Sequence, residues 1–223
     1  MDGKYVQLAA ESSVKGSSDQ QKYEKARRLK NQISRIREKY HNQMDSNDRL
    51  DNQIGVCTYL IDKLALRVGN EKGKDEADTV GCCSLRCEHV RFDGDSKVTF
   101  DFLGKDSMRY LNTVEVEPIV YELLEKFTLA KAPTDDIFEM VNASRLNDFL
   151  KETMEDLSAK VFRTYNASYT LQQELEKGEI DPDEDTVETK VKFYEDCNRK
   201  VAILCNHQKT VSKTAEQGIE KAR

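Results

Sequence analysis

Four residues of metal-ligating type crowd into eight positions: Cys82, Cys83, Cys87 and His89. Thiolates and imidazoles are ligands that zinc prefers, so a zinc centre is the first chemistry these residues suggest. Zinc sites usually show paired Cys-x-x-Cys spacing, however, and this cluster lies along a run that reads as a strand. The better reading is buried core cysteines, and with Cys57, Cys197 and Cys205 they make six reduced thiols in a reducing compartment. A second concentration is cationic. Eight Lys or Arg residues, against Glu24 and Glu38, fall between Lys22 and Lys39. Such a stripe attracts phosphate, although the same pattern also serves as a solvated helix face. The net charge of −6 does not exclude a nucleic-acid partner, because eight acids crowd between Glu174 and Glu188 against Lys177 alone. Outside that stretch the chain is close to neutral. No Gly-x-Ser-x-Gly elbow, phosphate-binding P-loop or His-Glu-x-x-His motif occurs, which removes the usual hydrolase motifs.

The elements that must position these groups follow from periodicity. Tyr23, Ala26, Leu29, Ile33, Ile36 and Tyr40 recur every three or four residues, so a helix is expected over 20–44 with its bases on the other face. A second helix is expected over 51–68, ended by Gly69, before a polar loop over 70–78. The period then changes to two. Strands are expected over 79–92, 98–103 and 108–116, joined by the turn residues Asp93-Gly94-Asp95 and Gly104-Lys105-Asp106-Ser107. Lys105 then sits at the tip of the second hairpin. Helices resume at Pro118, a residue suited to a first turn, and after Ser144 and Ser158 as N-caps. A last core helix uses Val187, Val191, Tyr194, Val201 and Leu204. The class is α+β, mostly helical: a helical bundle with a small three-stranded antiparallel sheet. The expected layout is a core over 1–209, with an opening segment 1–19, a helical part 20–68, the sheet 79–116 and a second helical part 117–209. The start of a further helix follows over 210–223. No run approaches the roughly 18 apolar residues that span a membrane and no secretory segment follows Met1, so a soluble intracellular chain is expected, with no membrane partner.

Five strings carry the reading further. They are Leu64-Ala65-Leu66-Arg67-Val68-Gly69-Asn70-Glu71-Lys72, then Ala77-Asp78-Thr79-Val80-Gly81-Cys82-Cys83-Ser84-Leu85-Arg86, then Phe100-Asp101-Phe102-Leu103-Gly104-Lys105-Asp106-Ser107. After these come Ala159-Lys160-Val161-Phe162-Arg163-Thr164-Tyr165-Asn166-Ala167-Ser168 and Val201-Ala202-Ile203-Leu204-Cys205-Asn206-His207-Gln208. In this order they resemble the catalytic core of the eukaryotic type IB DNA topoisomerases, over 4–209. The fold implied is that shared by tyrosine recombinases and type IB topoisomerases.

The resemblance implies roles. Arg67 and Arg163 match the family's two catalytic arginines, Lys105 its hairpin lysine, and His207 its histidine. Asn70, Lys72, Thr79, Asp106, Asn147, Lys160 and Gln208 match phosphate and groove contacts to double-stranded DNA, with the match around Asn147 the loosest. The family cleaves one strand through a 3′-phosphotyrosine, relaxes supercoils and reseals the backbone without ATP or metal, so no cofactor is expected. Its nucleophile is a tyrosine in a Ser-Lys-Leu-Asn-Tyr type motif, which this sequence does not contain. A tyrosine-bearing C-terminal domain or small subunit is therefore the implied partner, the chain alone is expected to be inactive, and the nucleus is the implied compartment. The family also clamps DNA with an N-terminal cap that this sequence does not contain, so modest DNA affinity is expected. The competing reading is a non-catalytic DNA-binding module with the same fold. Tyrosine recombinases share the chemistry, but their local strings differ.

Overall fold

The computed structural model describes residues 9, 11–69, 78–178, 180–181 and 183–207. The further helix expected over 210–223 lies outside those residues. Two compact units result, Met1–Tyr169 and Thr170–Arg223, and each is described by itself.

The first unit is built on a helical hairpin. α1 (Ser13–Met44) buries Ala26, Leu29, Ile33, Ile36, Tyr40 and Met44, the stripe legible in the sequence, whereas Tyr23 stays exposed. α2 (Arg49–Leu64) packs against it and is buried at every position from Asn52 to Asp62. The side chain of Asp48 caps α2 by accepting from the Leu50 and Asp51 amides. The buried amide of Asn52 donates to the carbonyls of Gln43, Met44 and Ser46 at 2.8 to 3.1 Å. That bond set closes the carbonyls a helix end leaves without partners.

The sheet follows as β1 (Val90–Gly94), β2 (Lys97–Leu103) and β3 (Arg109–Glu115), antiparallel in the order β1-β2-β3. Register pairs Val90 with Phe100, Val98 with Val114 and Leu103 with Arg109. Alternation turns Val98, Phe100 and Phe102 into the core. α3 (Pro118–Thr128) has proline at its start. α4 (Ala143–Lys151) is capped by Asn142, whose Oδ1 accepts from the Arg145 amide at 3.0 Å, rather than by Ser144. α5 is Ala159–Glu176 and α6 is Val187–Leu204.

Three expectations need correction. The strand expected over 79–92 is only Val90–Gly94. Upstream, the chain makes two single 3-10 turns, Cys82–Ser84 and Cys87–His89. The backbone there is satisfied by the 133–137 loop: the Cys87 amide donates to the Asp135 carbonyl at 3.0 Å, and Glu88 to Pro133 at 2.8 Å. Second, α2 stops at Leu64, not Val68, because Ala65 adopts the left-handed conformation (φ 51°). Third, α6 exists but is not a core helix among the described residues. Val187 is 77%, Val191 51% and Tyr194 50% exposed, and only Cys197 of the helix is buried. Periodicity shows that a face is apolar without showing that anything covers it.

Within the second unit, Thr186 caps α6 through the Thr189 amide. Lys177 and Lys200 both pair with Glu174. Among the described residues, no helix is long and apolar enough to cross a membrane.

Candidate catalytic cleft

Arg67 is placed by what happens after α2 ends. The 65–69 segment leaves the helix through the left-handed Ala65 and bonds to the turn at Cys82. The Cys82 amide donates to the Arg67 carbonyl at 2.7 Å, and the Cys83 amide to the Val68 carbonyl at 2.8 Å. Two glycines allow this approach. A β-carbon on Gly81 would lie 2.3 Å from the Gly69 nitrogen and 2.8 Å from the Arg67 carbonyl oxygen, while Gly69 itself has φ +80°. Both obstacles are backbone, which has no rotamer to yield. Gly81→Ala is therefore expected to force the segments apart, at a cost of about 1–3 kcal/mol for overpacking, read as a lower midpoint in thermal unfolding. Gly16→Ala is the control. No atom lies within 4 Å of its added carbon, and in a helix that exchange is expected to stabilise by up to about 1 kcal/mol.

The same short segment also holds the lysine hairpin. The Val80 amide donates to the Leu103 carbonyl at 2.7 Å, and Gly104 closes the hairpin onto the Met108 carbonyl at 2.8 Å. Lys105 stands exposed at the tip, on a 3-10 turn in which Asp106 (φ 61°) and Ser107 (φ 56°) are both left-handed. The tip position matches the expectation for Lys105, and places Asp106 beside it.

Arg163 and Lys160 come from the start of α5. The Ala159 amide, one of the donors a helix start leaves open, is met by Asn147 Oδ1 at 2.9 Å. Asn147, expected to contact DNA, thus acts here as a cap reaching across from α4. Asn147→Ala is expected to cost about 1 kcal/mol of stability, measured by chemical denaturation. Arg163 is half-buried and donates from Nη1 to the Ala65 carbonyl at 2.9 Å.

Arg67, Lys105, Lys160 and Arg163 line one cleft of about 280 Å³, together with Thr79. Its walls are apolar at Leu66, Val68, Val80 and Ala159. None of the described residues lining it is a carboxylate. Positive charge between apolar walls focuses its field outward and draws in anions. Three of the four residues expected to be catalytic, and two of those expected to contact DNA, therefore share one concave surface. His207 belongs to the second unit, at the end of α6, where its amide donates to the Ala202 carbonyl at 2.8 Å. Asn70, Lys72 and Gln208 lie outside the described residues.

The other chemical readings resolve differently. Much of the basic stretch on α1 is taken up by internal ion pairs: Arg37 with Asp62 at 2.9 Å, Arg28 with Asp156 at 3.0 Å and Lys39 with Glu152 at 2.6 Å. Cys57 and Cys82 are buried, with Cys82 Sγ 3.6 Å from the Cys57 carbonyl, whereas Cys83 and Cys87 are only partly buried. His89 Nδ1 accepts the Arg86 amide at 3.0 Å. Burial, with the nearby Arg86 charge, pushes His89 below the usual imidazole range. Among the described residues, no group of three or more His, Cys, Asp or Glu is arranged to hold a metal.

Comparison with known proteins decides the family. The family model for the eukaryotic DNA topoisomerase I catalytic core matches residues 11–223. The chain belongs to the eukaryotic DNA topoisomerase I family. It is 55% identical over 218 residues to DNA topoisomerase 1 beta of Arabidopsis thaliana, covering 98% of this chain and 23% of that protein. It is 52% identical over 219 residues to DNA topoisomerase 1 of Schizosaccharomyces pombe, covering 98% of this chain and 26% of the relative. The Drosophila melanogaster DNA topoisomerase 1 is 50% identical over 225 residues, 99% of this chain and 23% of its own length. The chain thus spans about a quarter of the length of these curated relatives. In this topoisomerase I core, the sequence reading assigned no role to Gly81 or Ala65 and gave Gly69 only the end of a helix, whereas Gly69 and Gly81 both line the cleft. The available signal was a lone glycine in a strand-like run, which marks close backbone approach.

Proposed function

We propose that this chain is the part of a type IB DNA topoisomerase that stabilises the transition state of DNA strand cleavage and rejoining. The observation that carries the reading is the convergence of Arg67, Lys105 and Arg163 on one cleft, with Lys160 and Thr79 beside them. Attack of a tyrosine oxygen on a phosphodiester produces a pentavalent phosphorus with extra negative charge on its non-bridging oxygens. Guanidinium groups remain charged and donate in fixed planes, which suits that charge. Arg67 and Arg163 take this role, and the His207 imidazole is a further hydrogen-bond donor to the same oxygens. The departing 5′ oxygen needs a proton, and Lys105 at the hairpin tip supplies it. Rotation of the cut strand then relaxes supercoils, and reversal of the attack reseals the backbone. No step in this scheme calls for ATP or a metal.

The nucleophile is assigned to a separate tyrosine-bearing domain or subunit. In support, no tyrosine lines the cleft among the described residues. Tyr40 and Tyr165 are buried, and burial pushes both phenols above their usual range, against ionisation. The working compartment in this reading is the nucleus.

Reconstitution tests the proposal. Adding a tyrosine-bearing C-terminal domain in trans is expected to give relaxation of supercoiled plasmid, with neither part active alone. Absence of relaxation at every mixing ratio would contradict the split arrangement. DNA binding by this chain is expected to be weaker than nanomolar at physiological salt and to show little sequence preference. If the four cleft cations each meet a phosphate, log K should fall with log salt at a slope of roughly −3 to −4. A salt-independent affinity in a fluorescence titration would remove DNA backbone as the ligand.

A further inference from the structure

One turn beyond Arg163 on α5 stands Asn166, which is only 9% exposed. Its Nδ2 donates to the Asp62 carbonyl at 2.6 Å, while Arg163 Nη1 donates to the Ala65 carbonyl at 2.9 Å. Asp62 lies in the last turn of α2 and Ala65 is its C-cap, where a helix leaves carbonyls without amide partners. Two side chains from one face of α5 therefore bond two successive stations at the end of α2. The first station is itself tied to α1. The Asp62 carboxylate is fully buried and accepts from Arg37 Nε at 2.9 Å, Arg37 Nη2 at 3.2 Å and the Tyr40 hydroxyl at 3.0 Å.

We propose that Asn166 is a positioning residue for Arg163: its bond to the Asp62 carbonyl fixes where α5 lies along the end of α2, and so holds the Arg163 guanidinium at the cleft. The arginine side chain carries about 2 kcal/mol of rotamer entropy, and hydrogen bonding at its tip does not set the depth of the backbone beneath it. Asn166 sets that depth from a buried site. The residue type fits. A short neutral amide can donate to a buried carbonyl, whereas aspartate would set negative charge against that oxygen. Leucine, of similar size, would leave the carbonyl without a donor, at a cost of about 1–3 kcal/mol. The catalytic consequence rests on the function proposed above; the structural content does not.

Two experiments separate these levels. In this chain, hydrogen exchange of the Arg163 side-chain N–H groups is followed by ¹⁵N NMR. Asn166→Ala is expected to speed exchange at Arg163 and leave Arg49, paired with Glu139 at 2.8 Å, unchanged; equal protection at Arg163 in both proteins would overturn the proposal. In the reconstituted enzyme, Asn166→Ala is expected to slow single-turnover cleavage about 10–100-fold, the scale of a 1 Å misplacement, with DNA affinity within about twofold. The deciding comparison is a double-mutant cycle. In an Arg163→Ala background, Asn166→Ala should slow cleavage no further, because its effect passes through the missing guanidinium. Losses that multiply would show a general structural role and sink the idea. If Arg163→Ala alone left cleavage intact, the functional reading would fail while the exchange result at Arg163 still judged the positioning role. Asn166→Ser, which keeps a donor on a shorter arm, should give an intermediate loss and carries the cycle if the alanine variant does not fold.

Discussion

Lys105→Ala is expected to slow DNA cleavage by the reconstituted enzyme by about 10²–10⁴, the range of a lost general acid. The loss should depend on the leaving group. An alkoxide is strongly basic and leaves only with a proton, whereas a thiol of pKa about 8.5 leaves readily as the anion. With a substrate carrying sulfur at the 5′ bridging position, Lys105→Ala should therefore recover to within about tenfold of the unsubstituted enzyme. An equal loss with oxygen and sulfur would mean that Lys105 acts through its charge and not its proton. The structural ground for the assignment is the hairpin. Lys105 stands exposed where two consecutive left-handed residues, Asp106 and Ser107, turn the chain. The Val80–Leu103 bond ties the base of that hairpin to the segment that also holds Arg67. The ammonium is thereby presented from a fixed base into the cleft lined by the arginines.

Arg163→Ala is expected to slow cleavage by about 10²–10³, the scale of one preorganised donor to a developing oxyanion. Arg163→Lys should recover only part of that loss. A lysine restores charge but not the planar fork, and the bond from Nη1 to the Ala65 carbonyl shows the plane being held by the protein. DNA affinity, measured separately, should change far less than the cleavage rate, because one phosphate contact among several is lost. The opposite pattern, weaker binding with unchanged cleavage, would favour the non-catalytic DNA-binding module.

Much of the scaffold was legible before the structure. The 3.6-residue apolar spacing marked α1 through Ala26, Leu29, Ile33, Ile36 and Tyr40, all of them buried. Alternation of Val98, Phe100 and Phe102 marked β2, and the turn residues around Lys105 placed it at a hairpin tip. These are local signals, set by which face of a helix or strand carries apolar groups. The errors fall where distant segments meet. The run over 79–92 has strand-like composition, yet Gly81 packs backbone to backbone against Gly69 and the chain turns twice before β1 begins. Helical spacing continued past Leu64, but the carbonyls of Arg67 and Val68 found partners at Cys82 and Cys83 instead. Asn147 carries a cap that its own neighbourhood in sequence does not announce, because the Ala159 amide it meets lies twelve residues on, at the start of α5.

Sequence by itself determined the family, through long ordered strings, and with it the identities of the cationic residues and the hairpin tip that carries Lys105, but not the helix end ahead of Arg67. Only tertiary structure decided that Arg67, Lys105 and Arg163 border a common cleft, and that the bases of α1 mostly answer carboxylates of this same chain. The reason is physical. Secondary structure reflects interactions among near neighbours, whereas a cleft is made by contacts between residues far apart in sequence, and those depend on how every buried surface packs at once.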